Sequence, residues 1–287
     1  MDSVASSTQR ESGPRQGSEY AELPDIIKEA GLLRRRPVRY AVKGSLTLLA
    51  FTGAWVAFAL LGDTWWQLFT AAFLAVACTQ IAFLGHDAGH KQIFPRRRAN
   101  AALAFTSRQS RAKRGFPGWM AKYQAFRWVE ATLLATHIVG YLTAVFLVLS
   151  PGKALVFIAV HQGLWGLYMG CSFAPNHKGM LTLTEGHPLD FLREQVLTSH
   201  NVTGGRWVDF AFGGLNFQIE HHLFPGMPRP TLRRAQPLVQ AFCVSRGINY
   251  SEGGLLVSYG QILRYLHEVG APLRADDARK KGRAASQ

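Results

Sequence analysis

The sequence predicts an all-α protein, a four-span transmembrane helical bundle with a cytoplasmic helical cap. Four long stretches contain no Asp, Glu, Lys or Arg, arginine clusters flank these stretches, and short turns separate the first from the second and the third from the fourth. A helix rises about 1.5 Å per residue, so stretches of this length can cross a hydrocarbon core of about 30 Å. The predicted spans cover about residues 45–62, 64–85, 131–151 and 154–177.

The two ends of the chain differ in composition from the part between them. Residues 1–22 are rich in Ser, Gln, Gly and charge, and residues 272–287 are similar and basic, so both are expected to be disordered tails. Residues 23–271 then form one membrane domain, in which residues 178–271 make the cap. Glycine and proline pairs break the helix signals after the fourth span, which suits a helical cap.

The chain is strongly basic, and the position of the charge selects the partner. The formal net charge is +14, which suggests either nucleic acid or the anionic face of a membrane. The arginines gather at residues 34–36, 96–98 and 108–114, each time flanking a long uncharged segment. This arrangement is typical of juxtamembrane charge, so the sequence predicts contact with membrane lipids and no binding of nucleic acid.

Loop charge also predicts the orientation in the membrane. The turns at residues 62–63 and 150–153 are short, whereas the N-terminal arm, the loop at residues 91–130 and the chain after Pro175 are long and basic. Cytoplasmic loops carry the excess of Lys and Arg. The chain is therefore predicted to be a multi-pass integral membrane protein with both termini and its histidine groups on the cytoplasmic side.

Two histidines stand at the end of the second span. His86 and His90 lie at positions i and i+4 of a helix, so both rings face one way and can reach one metal ion. Two polar histidines at a membrane interface would give the same pattern, and the pair alone leaves both interpretations open. His177, at the end of the fourth span, is predicted to lie on the same side of the membrane.

A third histidine group follows in the cap. Gln218, His221 and His222 lie at positions i, i+3 and i+4 of a helix and face one way, within an apolar frame made by Phe217, Leu223 and Phe224. Burying these polar groups is costly unless something coordinates them or hydrogen-bonds to them. The pattern favours metal ligation, and the predicted topology places all three groups at one membrane face.

The first and third groups resemble the histidine boxes of membrane fatty acid desaturases. The matching residues are His86-Asp87-Ala88-Gly89-His90 and Gln218-Ile219-Glu220-His221-His222-Leu223-Phe224-Pro225, the latter being the variant third box that begins with Gln. The resemblance covers about residues 41–274 and includes the lead-in Gly213-Gly214-Leu215-Asn216-Phe217.

The resemblance implies an oxygen-dependent desaturase of lipid metabolism. Such an enzyme uses two irons and dioxygen to remove two hydrogens from the acyl chain of a lipid or thioester. By resemblance, the iron ligands are His86, His90, His221 and His222, and His177 matches an additional family histidine. Gln218 is assigned to cofactor binding, and no catalytic residue is implied beyond the metal ligands.

One histidine box of the family is missing from this chain. Family members carry a second box, His-x-x-His-His, between the second and third spans, whereas this sequence has no histidine between His90 and His137. Two irons with about four or more protein ligands each need roughly eight donors, more than the matched residues supply. The sequence therefore predicts an incomplete iron site, and the alternative function is a catalytically impaired membrane protein with the desaturase fold.

The remaining histidines are weaker candidates. His137 is expected to pack between helices, and His161 lies in the fourth span towards the opposite leaflet. His200, in the cap, could approach the metal site, and His187 and His267 are expected to be solvated.

The electron donor is expected to be an external protein of the ferredoxin or cytochrome type. The sequence has no glycine fingerprint for a flavin or dinucleotide, no cysteine cluster for iron–sulfur, and no fused cytochrome b5 motif. A basic membrane-surface binding protein is a third possibility, but it leaves the histidine groups unexplained.

Overall fold

A computed structural model of the chain describes residues 18–94, 100, 118–176, 179–184 and 186–274. The described residues fall into two compact units. The membrane unit is Arg35–Ser172, and the terminal unit combines the chain up to Arg34 with the chain from Phe173 onwards.

Helices dominate the membrane unit. Four helices among the described residues are long and apolar enough to cross a membrane, which confirms the predicted all-α fold with four candidate spans. The helices of this unit are α2 (Pro37–Leu61), α3 (Gln67–Gly89), α4 (Gly118–Val148) and α5 (Pro151–Phe173), and a 3-10 turn, Ala174–Asn176, follows α5.

The helices extend beyond the uncharged stretches that predicted them. Helix α2 begins at Pro37 rather than near residue 45, and α3 continues to Gly89 rather than residue 85. Arg39 and Lys43 are tolerated in the first turns of α2 because long basic side chains can reach back to the interface. Absence of charge therefore locates a span but underestimates the length of its helix.

The core of the membrane unit joins all four spans. Phe58 of α2 and Leu74 of α3 pack in one buried cluster with Val145 of α4 and Phe157 of α5. Half of the residues in the most apolar stretch of α3 are buried, compared with 17% or less in the other three spans. The apolar side chains that these helices leave exposed suit contact with lipid.

The two short turns of the membrane unit are bonded to each other. The carboxylate Oδ1 of Asp63 accepts hydrogen bonds from the backbone nitrogen and the hydroxyl of Ser150, at 3.0 and 3.1 Å, and Lys153 Nζ donates to the Asp63 carbonyl at 2.7 Å. These bonds hold the pKa of Asp63 below its usual value. Both turns therefore lie at the same end of the bundle.

The terminal unit is built from short helices around one apolar core. They are α1 (Ser18–Glu29), α6 (Phe191–Leu197), α7 (Arg206–Ala211), α8 (Gln218–Leu223), α9 (Arg229–Ser245) and α10 (Leu255–Val269). Most of the buried side chains come from α1, α6, α8 and α9, and they include Leu23, Leu192, Ile219 and Leu232.

Helix α1 corrects the predicted N-terminal tail. Residues 18–22, which were expected to be disordered, form its first part. Leu23 and Ile27 are fully buried in the core, and Arg193 of α6 forms an ion pair with Glu19 at 3.0 Å. Tertiary contacts thus order a segment whose composition is polar. The rest of the predicted tails, residues 1–17 and 275–287, lies outside the described residues.

Two three-residue strands, β1 (Asn201–Thr203) and β2 (Glu252–Gly254), pair in parallel in the terminal unit. In this register Asn201 lies opposite Glu252. Segments this short carry no sequence periodicity, so the pair was not predicted. The pairing brings the segment before α10 beside the segment that precedes α7.

Candidate metal centre

The first histidine pair lies at the C-terminal end of α3 in the membrane unit. The rings of His86 and His90 are adjacent, with centroids 4.6 Å apart. Asp87 between them is buried, and its Oδ1 lies 3.7 Å from Nδ1 of His86. The spacing of four residues does bring the two imidazoles together on one side of the helix end.

A tight backbone turn ends α3 directly after His90. The amide of Lys91 donates to the Ala88 carbonyl, and the amide of Gln92 donates to the Asp87 carbonyl, the two bonds of a Schellman motif. The residue in the left-handed position is Lys91, with φ of 59°, where glycine is the usual choice. Tyr40 of α2 fixes the turn by donating to Oε1 of the buried Gln92 at 3.1 Å. The orientation of His90 is thus set by a strained backbone.

The third histidine group lies on α8 in the terminal unit. A helix of six residues has no stability of its own and must be held by its surroundings. Ile219 and Leu223 on one side of it are fully buried in the core of the unit. At the C-terminal end of α8, the hydroxyl of Tyr20 donates to the Leu223 carbonyl at 2.8 Å. The apolar frame seen in the sequence therefore serves to fix the histidines in place.

His221 and His222 project from α8 with their ring centroids 6.1 Å apart. His221 is buried, and His222 is half buried. Nδ1 of His222 lies 2.8 Å from the hydroxyl of Ser199, and its Nε2 lies 2.8 Å from the amide nitrogen of Gln218. The structure thus brings Gln218 to His222, as the helical spacing predicted.

Helix α8 also carries a buried carboxyl group, that of Glu220, directly before the two histidines. Glu220 accepts hydrogen bonds from the Tyr250 hydroxyl at 2.5 Å and from Nδ2 of Asn201 at 2.8 Å. Burial raises the pKa of Glu220 to about 7, although both hydrogen bonds act to lower it. Burial, together with the neighbouring Glu220, also raises the pKa of Tyr250.

Sequence reasoning missed this network. Asn201 is also bonded to the backbone of α8, because its Oδ1 accepts from the Ile219 amide at 2.9 Å. The signal that could have revealed it is the charged Glu220 inside an otherwise apolar frame, since a buried carboxylate needs partners. The partners themselves lie 19 and 30 residues away in sequence, and no local pattern identifies them.

Two glycines shape the turn that leads into α8. Gly213 and Gly214 have φ of 58° and 86°. A Cβ on Gly214 would lie 2.7 Å from Cγ of Arg229, whose guanidinium donates to the Gly213 carbonyl at 2.6 Å. The position therefore requires glycine both for its backbone conformation and for the close approach of the Arg229 stem.

We expect Gly214→Ala to lower the free energy of unfolding by about 2 kcal/mol, because a left-handed residue with a side chain costs about 1–2 kcal/mol before any steric clash. Denaturant unfolding in detergent, followed by circular dichroism, measures the change. Gly226→Ala is the matched control, since a Cβ there meets nothing within 4 Å. Equal stability of the two variants would contradict the argument.

The other histidines were weaker candidates, apart from His177. His177 lies outside the described residues. His200 is buried, and its two ring nitrogens contact the hydroxyls of Ser251 and Ser258, at 2.8 and 3.0 Å. Burial lowers the pKa of His200, although the neighbouring Glu252 acts to raise it.

The expected packing of His137 between helices is wrong. His137 is exposed, because α4 buries little of its surface within the described part of the chain. His161 is buried in the membrane unit, with its Nδ1 3.0 Å from the Tyr141 hydroxyl. His187 lies 4.0 Å from a carboxylate oxygen of Glu194, and His267 is exposed.

Comparison with known proteins decides the family. The family model described as fatty acid desaturase matches residues 104–254, more than half of the chain. The chain belongs to the fatty acid desaturase family. The matched region contains His177, Gln218, His221 and His222, whereas His86 and His90 precede it. Because desaturation is an oxidation, this is a family of oxidoreductases, and with its four apolar helices the chain is an integral membrane protein.

Several desaturases are similar over part of their length. An acyl-lipid (9-3)-desaturase from Physcomitrium patens is 36% identical over 122 residues, which are 42% of this chain and 23% of that protein. A delta 8-(E)-sphingolipid desaturase from Lachancea kluyveri is 45% identical over 94 residues, 33% of this chain and 16% of that protein. Fatty acid desaturase 3 from Bos taurus is 38% identical over 125 residues, 42% of this chain and 27% of that protein.

The aligned segments thus span between 16% and 27% of the length of these three relatives. No solved structure gives a significant match to the chain.

Proposed function

We propose that the chain is built for oxygen-dependent desaturation of the acyl chain of a lipid or thioester, with iron held by histidines. The observation that carries this proposal is a pair of adjacent imidazoles in each unit, His86 with His90 and His221 with His222, in a chain of the desaturase family. The similarity to desaturases of acyl lipids, sphingolipids and fatty acids favours an acyl substrate.

The residues fit a metal of the kind that the family implies. Imidazole nitrogens suit iron, and a ligating histidine usually bonds its second ring nitrogen to a protein group. His222 has that arrangement, since Ser199 holds its Nδ1. The proposed ligands are His86, His90, His177, His221 and His222, and Gln218, which contacts His222, is assigned to cofactor binding.

Iron held by these histidines would activate dioxygen, which is the oxidant. The substrate loses two hydrogens to form the double bond, dioxygen is reduced to two waters, and two further electrons and two protons balance the reaction. The electrons come from an external ferredoxin- or cytochrome-type protein. The histidines of this chain would hold the metal.

A second candidate function is that of a catalytically impaired member of the family. The observation that favours it is the lack of any histidine between His90 and His137, where the family carries its second box. The segment in question, residues 95–99 and 101–117, lies outside the described residues. With roughly eight donors needed for two irons, the chain would then bind lipid and some iron without desaturating.

Expression in a host with a competent electron donor separates the two candidates. We expect the unmodified chain to leave the fatty acid profile unchanged, which would support the impaired form. Insertion of a segment with His-x-x-His-His after Asn100 should raise the iron content and allow unsaturated product to form. New unsaturated lipid from the unmodified chain would instead support the complete enzyme and show that other residues replace the second box.

We also propose that both termini and the histidine groups lie on the cytoplasmic side. The basic loops support this orientation, and the bonds from Asp63 to Ser150 and Lys153 keep the two short turns at the opposite end of the bundle from the loop that begins at residue 91. A membrane-impermeant thiol reagent applied from outside should label Gly152→Cys and spare Gly226→Cys. The parent chain with its three native cysteines is the control. Outside labelling of Gly226→Cys would reverse the orientation.

A further inference from the structure

Three consecutive residues, Ser199, His200 and Asn201, tie α8 and the segment before α10 together, since the first and third contact α8 and His200 contacts Ser251 and Ser258. All three are buried. The Ser199 hydroxyl contacts His222, the ring of His200 contacts the hydroxyls of Ser251 and Ser258, and the Asn201 side chain contacts the backbone and the carboxylate of α8. Each residue has a different target, and of these hydrogen bonds only that of Ser199 reaches a histidine of the third group.

The two contacts of the His222 ring together select its tautomer. The amide nitrogen of Gln218 can only donate, so Nε2 of His222 must accept from it. A neutral imidazole with an unprotonated Nε2 carries its proton on Nδ1. Nδ1–H then donates to the Ser199 hydroxyl at 2.8 Å.

We propose that Ser199 is a positioning residue, which holds His222 as the Nδ1–H tautomer and leaves Nε2 as the atom that can coordinate a metal. The role of Nε2 as a ligand rests on the proposed function, whereas the choice of tautomer does not. A hydrogen bond to the second nitrogen of a ligating histidine fixes the ring and typically contributes 10–100-fold to metal affinity. Nε2 accepts from the Gln218 amide at 2.8 Å, so a metal that binds Nε2 would take the place of this hydrogen bond.

The position of Ser199 relative to His222 is set by the neighbouring network. Asn201, two residues further on, is bonded both to the Ile219 amide and to Glu220, so the segment cannot shift along α8 without breaking buried bonds. The hydroxyl of Tyr250 holds Glu220 from the other side at 2.5 Å. Ser199 is therefore a fixed acceptor rather than a mobile surface hydroxyl.

Nitrogen-15 NMR of histidine-labelled protein in detergent tests the tautomer without any metal. At about pH 8, above the ordinary histidine pKa, the His222 ring should give a single Nδ1–H tautomer, assigned by its disappearance in His222→Ala. Ser199→Ala should lose this single form and give a mixture, while Ser199→Thr, which keeps the hydroxyl, should retain it. An Nε2–H tautomer in the parent chain, or an unchanged spectrum in Ser199→Ala, would overturn the proposal.

Titration with Co²⁺, followed by its visible absorption, tests the link to metal binding. Ser199→Ala should weaken Co²⁺ binding 10–100-fold, Ser199→Thr should bind like the parent chain, and Ser245→Ala, which removes a hydroxyl bonded within its own helix, is the control. Equal affinity of Ser199→Ala and the parent would overturn the positioning role. A parent chain that binds no Co²⁺ yet keeps the Nδ1–H tautomer would overturn the proposed metal site and support the role of Ser199 in the tautomer.

Discussion

Detergent-purified protein should contain at most about one iron per chain, weakly held, rather than the two that the family implies. The physical reason is the supply of donors. Two irons need roughly eight protein ligands. The chain offers fewer, because it has five matched histidines and Gln218 could add at most one more ligand. The five histidines are His86, His90, His177, His221 and His222. Water replaces a missing imidazole poorly, because it neither anchors the metal nor orients the remaining ligands. Elemental analysis of iron against protein concentration, after removal of loosely bound metal, gives the ratio.

Single substitutions show whether the iron is bound at the histidine groups. His221→Ala and His222→Ala should each remove most of the iron, since each takes one donor from an already incomplete set. His267→Ala is the matched control, because this histidine is exposed on α10. Two irons in the unmodified chain, or iron that survives both substitutions on α8, would contradict the proposed site.

Asn201→Ala should lower the free energy of unfolding by about 3 kcal/mol or more. The substitution leaves two buried groups of α8, the Ile219 amide and the Glu220 carboxyl, each without one partner. A buried polar group that loses its partner costs about 1–3 kcal/mol. Denaturant unfolding in detergent measures the effect, and the histidine signals of α8 should broaden or shift with it.

Gln236→Ala provides the comparison for Asn201→Ala. It also removes an amide that bonds to a glutamate, since Gln236 Nε2 lies 3.1 Å from Glu252, but this pair is exposed to solvent. Water takes the place of the lost partner there, so we expect a change below about 1 kcal/mol. If the two variants were equally stable, the buried network would not be what holds α8.

The sequence predicted the spans well and their ends less well. A stretch without charge identifies a membrane helix because an unpaired charge in hydrocarbon is costly. The same rule failed at the ends of the spans. Arg39 lies inside α2, although the predicted span begins six residues later. The reason is that burying the stem of a basic side chain near an interface costs little free energy. Helical spacing likewise predicted that His86 lies beside His90 and Gln218 beside His222, since these contacts are local.

Contacts between distant parts of the chain were beyond sequence reasoning. The parallel pairing of β1 with β2, the burial of Glu220 beneath Tyr250, and the docking of α1 on the core each join residues far apart in sequence. Each depends on geometry that a single sequence does not display. The N-terminal segment illustrates this, because its polar composition predicts disorder while Tyr20 and Leu23 are ordered by partners about 200 residues away.

The terminal unit combines segments that lie before and after the membrane spans, and this has a consequence for biosynthesis. Helix α1 is synthesised before the four candidate spans of the described chain, yet its partners Leu223 and Val239 are made only after them. During that interval Leu23 and Ile27, which are fully buried in the finished protein, have no core to enter. The nascent chain therefore carries an exposed apolar segment through the whole of membrane insertion, and this segment is a natural target for the chaperones that attend translation.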